Sequence, residues 1–475
     1  MTGRLTSEQR VVILGSGPTG LGAGYRLREL GHENFHIYER DGQVGGLATS
    51  HKDDQGFTWD IGGHVQFSHY AYFDQLMDKA LNPPAGPGWL THERESWVWI
   101  EGRYVPYPFQ NNIRYLSAET RWKCIQGLVQ LYKQPFSGRP RNFREWIDAT
   151  FGTGLGEVFM IPYNFKVWAY PGEEMDFNWI GERVAVTDLE KMLYNVLHEK
   201  DDLSWGPNNT FLFPKQGGTG AIWESVANLV GRDKITLNKA VIGIDPSAKR
   251  IHFADGDQVE YDMLLSTLPI DKLVHMADLH TLKEPASRLK YSSSHIIGIG
   301  LSGKPPETLT KKCWMYFPEQ NCPFYRVTVF SNYSPQNVPD IGTQWSLMAE
   351  VSESPHKPVY GEKVVDDTIE GMFATKLIYK QHDVLSTWSY RAHYGYPTPS
   401  LARDVALNAI HPELHKHDIY SRGRFGGWKY EVSNQDHSLM QGVELVNNLK
   451  LGVPEVTYWF PNTANNMTYA KRSSP

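Results

Sequence analysis

A chain of 475 residues with 40% hydrophobic content is long enough to divide its core among two or three structural units. Lys+Arg 47 against Asp+Glu 53 leave a formal net charge of -6 without a basic run, which argues against a nucleic-acid footprint and leaves any anionic ligand to local arginines. The three cysteines, Cys124, Cys313 and Cys322, show no CxxC spacing, and neither an apolar leader nor an 18-residue apolar run is present. A disulfide framework, a metal site and membrane insertion are therefore not expected, and we expect a cytoplasmic, soluble protein.

The first elements read strand, glycine turn, helix, strand. Val11 to Leu14 form an apolar run, Gly15, Gly17 and Gly20 make GxGxxG, and Leu21, Gly24 and Leu27 follow at helical spacing up to Gly31. The glycines permit a tight turn, close approach to a pyrophosphate and close helix packing, while the helix N-terminus presents partial positive charge to the phosphates. Glu39 ends the next strand, where it is placed to accept hydrogen bonds from a ribose. This unit alone does not separate NAD from FAD. Gly45, Gly46 and Leu47 in ERDGQVGGLATS follow the acidic residue closely, a pattern that resembles flavoproteins of the amine-oxidase and glutathione-reductase type and favours FAD.

Residues from about 112 to 203 have helical texture. NFREWIDATF opens at Asn142 with Glu145 three residues on, and TDLEKMLYNVL opens at Thr187 with Glu190, both capping-box patterns. From about 205 a strand, glycine turn and helix follow, then a DG hairpin and a returning strand in KRIHFADGDQVEYDMLLSTLP. Residues from about 291 to 420 hold β-branched and aromatic stretches bounded by turns, which predict an antiparallel sheet. A last helix, from about Asp436, closes the chain. The expected fold class is α/β. A Rossmann-like FAD-binding domain would use 1–80, 215–290 and 421–475, a helical substrate or lid domain 112–203, and an antiparallel β-sheet domain 81–111, 204–214 and 291–420.

Four stretches join dense aromatics to polar groups: YVPYPFQNNI, PYNFKVWAYP, CPFYRVTVF and GRFGGWKYEVSNQDH. Core packing is the ordinary explanation of any one aromatic. Gln110, Asn111 and Asn164 beside rings nevertheless offer what a nucleobase needs, a π-face and amides for its edge. By period-two alternation Arg326 shares a strand face with Phe324 and Thr328, and a charge there requires a partner. Arg183, after Gly181 and ahead of the helix at Thr187, suits a loop closing over an anion.

The strings GGHVQFSHY, VPYPFQNNI, PYNFKVWA, WIGERVA, WGPN, GGTG, YSSSHIIGIG, NCPFYR, FSNYSP, GYPTP and RGRFGGWKYEVSNQDHS run collinearly from about residue 11 to 450 and resemble the UDP-galactopyranose mutases of the eukaryotic type. The resemblance implies an isomerase that interconverts UDP-galactopyranose and UDP-galactofuranose, supplies galactofuranose for cell-surface glycans, and uses reduced FAD with no net redox change. It implies that flavin N5 attacks the galactose anomeric carbon as UDP leaves. Arg183, Arg326, Tyr396 and Tyr430 would meet the substrate pyrophosphate. Tyr107, Phe109, Gln110, Tyr163, Asn164 and Trp168 would form the uridine pocket, with Trp314 and Tyr316 nearby, and Asn208 would touch the sugar or a loop. Thr19, Val241, Arg424, Asn434, Gln435 and Ser438 would join the glycines, Leu47 and Glu39 as FAD contacts, with Asn434 also near substrate. His64 would lie beside the flavin and act in catalysis, and His69 and Arg94 would receive NADPH as reductant. SNQDHS would set a helix N-terminus against the anionic edge of the reduced flavin. An amine-oxidase-type oxidoreductase, and a non-enzymatic binder resembling the GDP-dissociation inhibitors, are the rival readings.

Overall fold

The computed structural model describes residues 5–466 apart from 85, 182, 183, 185 and 203–209, so Arg183 and Asn208 lie outside the described residues. The run Val11–Leu14 is buried on both faces: Val11 and Ile13 belong to one apolar cluster, Val12 and Leu14 to another. A strand covered on both sides has no reason to alternate, which is why it reads as unbroken aliphatic sequence. It lies at the centre of a five-stranded sheet in the order Ile419–Ser421, Met263–Ser266, Val11–Leu14, Phe35–Tyr38, Ile235–Thr236. Every pairing in that sheet is parallel.

The helix Pro18–Glu29, which follows the glycine turn, packs on Gln435–Leu451 from the far end of the chain. Glycine on each side makes the approach possible. A Cβ at Gly22 would lie 2.7 Å from the Leu439 carbonyl oxygen, and one at Gly442 would lie 2.1 Å from that of Thr19. The second helix begins at Gln435 with Asn434 in the cap position, one residue ahead of the predicted start, and the Asn434 side chain makes no capping bond.

A seven-stranded sheet has the order Val384–Pro397, Tyr291–Ser302, Gln344–Glu353, Arg326–Val329, Trp314–Tyr316, Ser96–Ile100, Arg103–Pro106. It is antiparallel as expected except where Trp314–Tyr316 runs parallel to Ser96–Ile100. The face reading around Arg326 needs correction. The strand begins only at Arg326, and Phe324 packs with Val327 and Val329 in the opposite layer, while Arg326 and Thr328 face the cleft between the two sheets. Alternation holds inside a strand and lapses in the irregular NCPF segment before it.

Helices Ala118–Lys133, Phe143–Leu155, Ile161–Trp168 and Leu189–Leu197 form the helical part. Asn142 Oδ1 accepts from the Glu145 amide at 2.9 Å, but Glu145 turns outward to the Arg141 amide instead of closing the box. For the helix at Leu189 the cap is Asp188, not Thr187. The Asp188 carboxylate accepts from the Lys191 amide at 2.7 Å, and Thr187 is buried beside it. A carboxylate there satisfies an end amide and also meets the helix dipole. Among the described residues no helix is long and apolar enough to cross a membrane.

Candidate active site

One cleft of about 1860 Å³ runs between the parallel sheet and the face of the seven-stranded sheet. At its nucleotide end, Gly15 takes φ +100° to turn the chain, and a Cβ at Gly20 would lie 1.9 Å from the Gly15 carbonyl oxygen. Pro18 opens the helix, so no amide is wasted at that position. Glu39 Oε2 accepts from the Ser16 amide and hydroxyl, both at 2.8 Å, and Oε1 accepts from the Asp41 amide at 3.0 Å. The carboxylate is thereby fixed across the mouth of the turn with lone pairs to spare. Gly15, Gly17, Thr19, Glu39, Gly46, Leu47 and Val241 line the cleft, whereas Gly20 and Gly45 shape the backbone behind it. The turn, the helix N-terminus and the fixed carboxylate fit the diphosphate and ribose of FAD.

Farther along, Asn434, Gln435 and Ser438 line the cleft from the first turn of the C-terminal helix. Trp223 Nε1 donates to Gln435 Oε1 at 2.7 Å, which orients that amide. Arg424 donates from Nε and Nη2 to the Gly395 carbonyl at 3.2 and 2.9 Å, and from Nη1 to Ser433 Oγ at 2.9 Å. Its guanidinium lies 4.9 Å from the Tyr396 ring and 5.9 Å from the Tyr430 ring. His64 follows a Gly62–Gly63 turn and lines the cleft, and its Nδ1 is buried without a hydrogen-bond partner among the described residues. Burial, then the nearby Arg424 and Arg326 charges, bring the His64 pKa down to about 4 against the opposing pull of Glu350, so the imidazole is neutral near pH 7.

Arg326 has the partner that its position demanded. Glu350 stands opposite it in register. Oε1 accepts from Arg326 Nε at 2.8 Å and from the Gly63 amide at 3.0 Å, and Oε2 accepts from Arg326 Nη2 at 2.8 Å and from the Tyr325 hydroxyl at 2.6 Å. Sequence reasoning did not single out Glu350. The available signal was a carboxylate within the apolar strand run WSLMAEV, which an interior position permits only with a cation beside it.

Around this centre the aromatic residues form two groups. Tyr107 and Tyr163 each lie 5.4 Å from the Tyr316 ring, and Trp314 Nε1 donates to the Tyr316 hydroxyl at 2.5 Å. Trp168 lies edge-on to Tyr430 at 4.7 Å and to Tyr396 at 5.8 Å. All seven line the cleft, as does Asn164, whose amide donates to the Met160 carbonyl at 2.7 Å. Phe109 and Gln110 do not line it: Phe109 packs on Phe159 in the core, and Gln110 is buried beside it in the chain. Asn111 also turns away, donating to Asp202 Oδ2 at 3.1 Å.

His69 and Arg94 both line the cleft. Arg94 lies 4.8 Å above the Trp314 ring, and His69 meets Asp436 Oδ2 through its amide at 3.1 Å and Nδ1 at 2.8 Å. Burial would raise the Asp436 pKa, but His437 and His69 outweigh it and hold the carboxyl well below the usual range. Ligand atoms of His69, Asp436 and His437 come within 4.8 Å of one another, a spacing open to a metal ion, although His69 Nδ1 is already engaged with Asp436.

Residues 18–411 match the family of flavin-containing amine oxidoreductases. A crystal structure of a reduced UDP-galactopyranose mutase superposes with a TM-score of 0.93 and 48% sequence identity, covering 98% of each chain. A CLA-producing fatty acid isomerase from P. acnes has a TM-score of 0.63 at 14% identity, covering 96% of this chain and 100% of its own. A putrescine oxidase bound to putrescine has a TM-score of 0.61 at 15% identity, covering 93% and 98%. The last two share the fold alone.

Proposed function

The chain belongs to the flavin-containing amine oxidoreductases and, within them, to the UDP-galactopyranose mutases, and we propose that it interconverts UDP-galactopyranose and UDP-galactofuranose in the cytoplasm with reduced FAD and no net redox change. The observation that carries this reading is that Arg326, Tyr396 and Tyr430 line the same cleft as the Tyr107, Tyr163 and Tyr316 ring group and the nucleotide turn. The cation and phenols suit a diphosphate, the rings suit uracil, and the sugar would then lie toward His64. Hydrogen bonds to charged groups contribute roughly 1.5 to 3 kcal/mol each, so these donors would stabilise departing UDP substantially.

Among the described residues no cysteine lines the cleft. Cys124 and Cys313 are buried, with burial pushing their thiols up to about 12 and about 11. When bound and reduced, FAD would supply the nucleophilic nitrogen at the anomeric carbon. Asn434, Gln435 and Ser438 would hold its pyrimidine edge at a helix N-terminus, where negative charge is favoured. Neutral His64 would stand beside it as an acceptor or donor according to its tautomer. Arg183 and Asn208, by family resemblance, would complete the diphosphate and sugar contacts. His69 and Arg94 would receive the phosphates of NADPH before substrate enters the same cleft.

The test is to reduce the FAD-loaded protein with dithionite, add UDP-galactofuranose and follow UDP-galactopyranose by chromatography. Many turnovers from a single reduction are expected. Stoichiometric oxidation of an amine or other substrate, without isomerisation, would establish the oxidase reading instead.

A further inference from the structure

We propose that Lys166 and Cys322 form a redox modification site, at which peroxide joins the lysine nitrogen to the cysteine sulfur through a single oxygen atom. Neither residue lines the cleft, and Cys322 packs with Phe324 and Val327 in the layer opposite it. Lys166 is 1% exposed, a burial at which an ammonium is ordinarily held by a carboxylate. Its Nζ donates instead to the Glu319 carbonyl at 2.8 Å, to the Cys322 carbonyl at 2.9 Å and to Cys322 Sγ at 3.4 Å. Two carbonyls take two of its donors and the third points at sulfur. The surroundings hold the pair in place. Ser352 Oγ donates to the Lys166 carbonyl, and a Cβ at Gly371, on the helix Val364–Ala374, would lie 2.8 Å from Cys322 Cβ.

The charges of the two groups oppose the effect of burial. Burial raises the Cys322 pKa while Lys166 pulls it down, and burial lowers the Lys166 pKa while Cys322 pulls it up. The thiolate beside the ammonium is the form that peroxide attacks. One hydrogen peroxide converts the thiol to sulfenic acid and water. The sulfenic acid, the lysine amine and a second peroxide then give the sulfur–oxygen–nitrogen link and two waters. Each peroxide gains two electrons, and sulfur and nitrogen together lose four. Peroxide is what dioxygen becomes on taking two electrons from a reduced flavin. Because the amine already touches the sulfur, it intercepts the sulfenic acid ahead of further oxidation. The link would close 156 residues of chain and pin the helix Ile161–Trp168, with its cleft residues Tyr163, Asn164 and Trp168, to the segment leading into the strand at Arg326.

The test treats the folded, FAD-loaded protein with hydrogen peroxide, removes the excess, and reads intact mass and tryptic peptides. The expected change is a gain of one oxygen with loss of two hydrogens, reversed by dithiothreitol. In the digest the Lys166 and Cys322 peptides should run as one linked species uncut after Lys166. Cys313, whose Sγ faces the Glu93 carbonyl at 3.4 Å rather than an amine, should enter no such species. Cys322→Ser and Lys166→Met should each abolish the change; should either variant fail to fold, the wild-type digest decides alone. Oxygen added to Cys322 with Lys166 still cleaved, loss of two hydrogens without added oxygen, a link that survives dithiothreitol or either variant, or no reaction overturns the proposal. The link needs no substrate, so its absence would leave the mutase reading untouched.

Discussion

Replacing Arg326 by Ala separates its structural from its chemical role. The substitution leaves Glu350, whose side chain is 3% exposed, with only the Gly63 amide and the Tyr325 hydroxyl. Breaking a buried pair from one side costs about 3 to 5 kcal/mol, since the remaining charge is uncompensated. In the native protein burial pulls the Glu350 pKa up, but Arg326 outweighs it and the net shift is downward. The ionised pair therefore stabilises the fold above the unfolded carboxylate pKa, and that contribution is lost as pH falls through the lower folded value. In Arg326→Ala the shift reverses: the folded pKa rises above the unfolded one, so the penalty is largest near neutrality and vanishes in acid. Urea unfolding of both proteins from pH 4.5 to 8 should give a stability difference that widens with pH toward that range. Arg326→Met combined with Glu350→Gln, which removes both charges, should recover most of it. On the proposed mutase reading, turnover should stay down by about 2 to 4 kcal/mol, tens to hundreds in kcat/KM, in single and double variants alike, because the proposed diphosphate partner is absent from both. A stability difference independent of pH, or near wild-type turnover in the double variant, would refute this account.

The isolated protein should carry FAD and remain inactive until dithionite or NADPH reduces it, as read by absorbance and product chromatography; turnover with flavin held oxidised would count against the proposed chemistry. Gly442→Ala places a methyl 2.1 Å from the Thr19 carbonyl oxygen, so the two helices must part and FAD content should fall sharply, while Ala at the exposed, unobstructed Gly361 should retain it. Asp60 is buried, and burial pushes its carboxyl up to about 6 despite bonds from Ser50 and Thr219. With the folded pKa above the unfolded value, its contribution is greatest in acid and is lost as pH rises to about 6, so Asp60→Asn should gain on wild type by up to about 3 kcal/mol between pH 4 and 7 in urea titrations.

What the sequence made legible were features fixed by neighbours. Val11–Leu14, the glycine turn and Glu39 lie within 29 residues and impose their own geometry, and they stand in the structure as that spacing required. Arg326 could be seen to need a partner because a charge on an interior strand always does. That the partner is Glu350 could not be seen, since it depends on strand register across a long connection, and two glutamates occur in the same strand. The parallel pairing of Trp314–Tyr316 with Ser96–Ile100 was hidden for the same reason: more than 200 residues separate the partners, and alternation is identical for either direction. Local rules also failed at small scale. Thr187 and Asp188 are both good caps by residue type, and the folded chain uses Asp188 while burying the threonine.

The contact of the helix Pro18–Glu29 with Gln435–Leu451 sets an order of events during synthesis. The first helix leaves the ribosome roughly four hundred residues before its partner, which at about 5 to 20 residues per second is a wait of tens of seconds. Throughout that interval Gly22 and its neighbours lack the segment they pack against, and the cleft lacks the wall that Asn434 and Gln435 will supply. The cofactor would thus be captured late, by a nearly finished chain, and would join its beginning to its end.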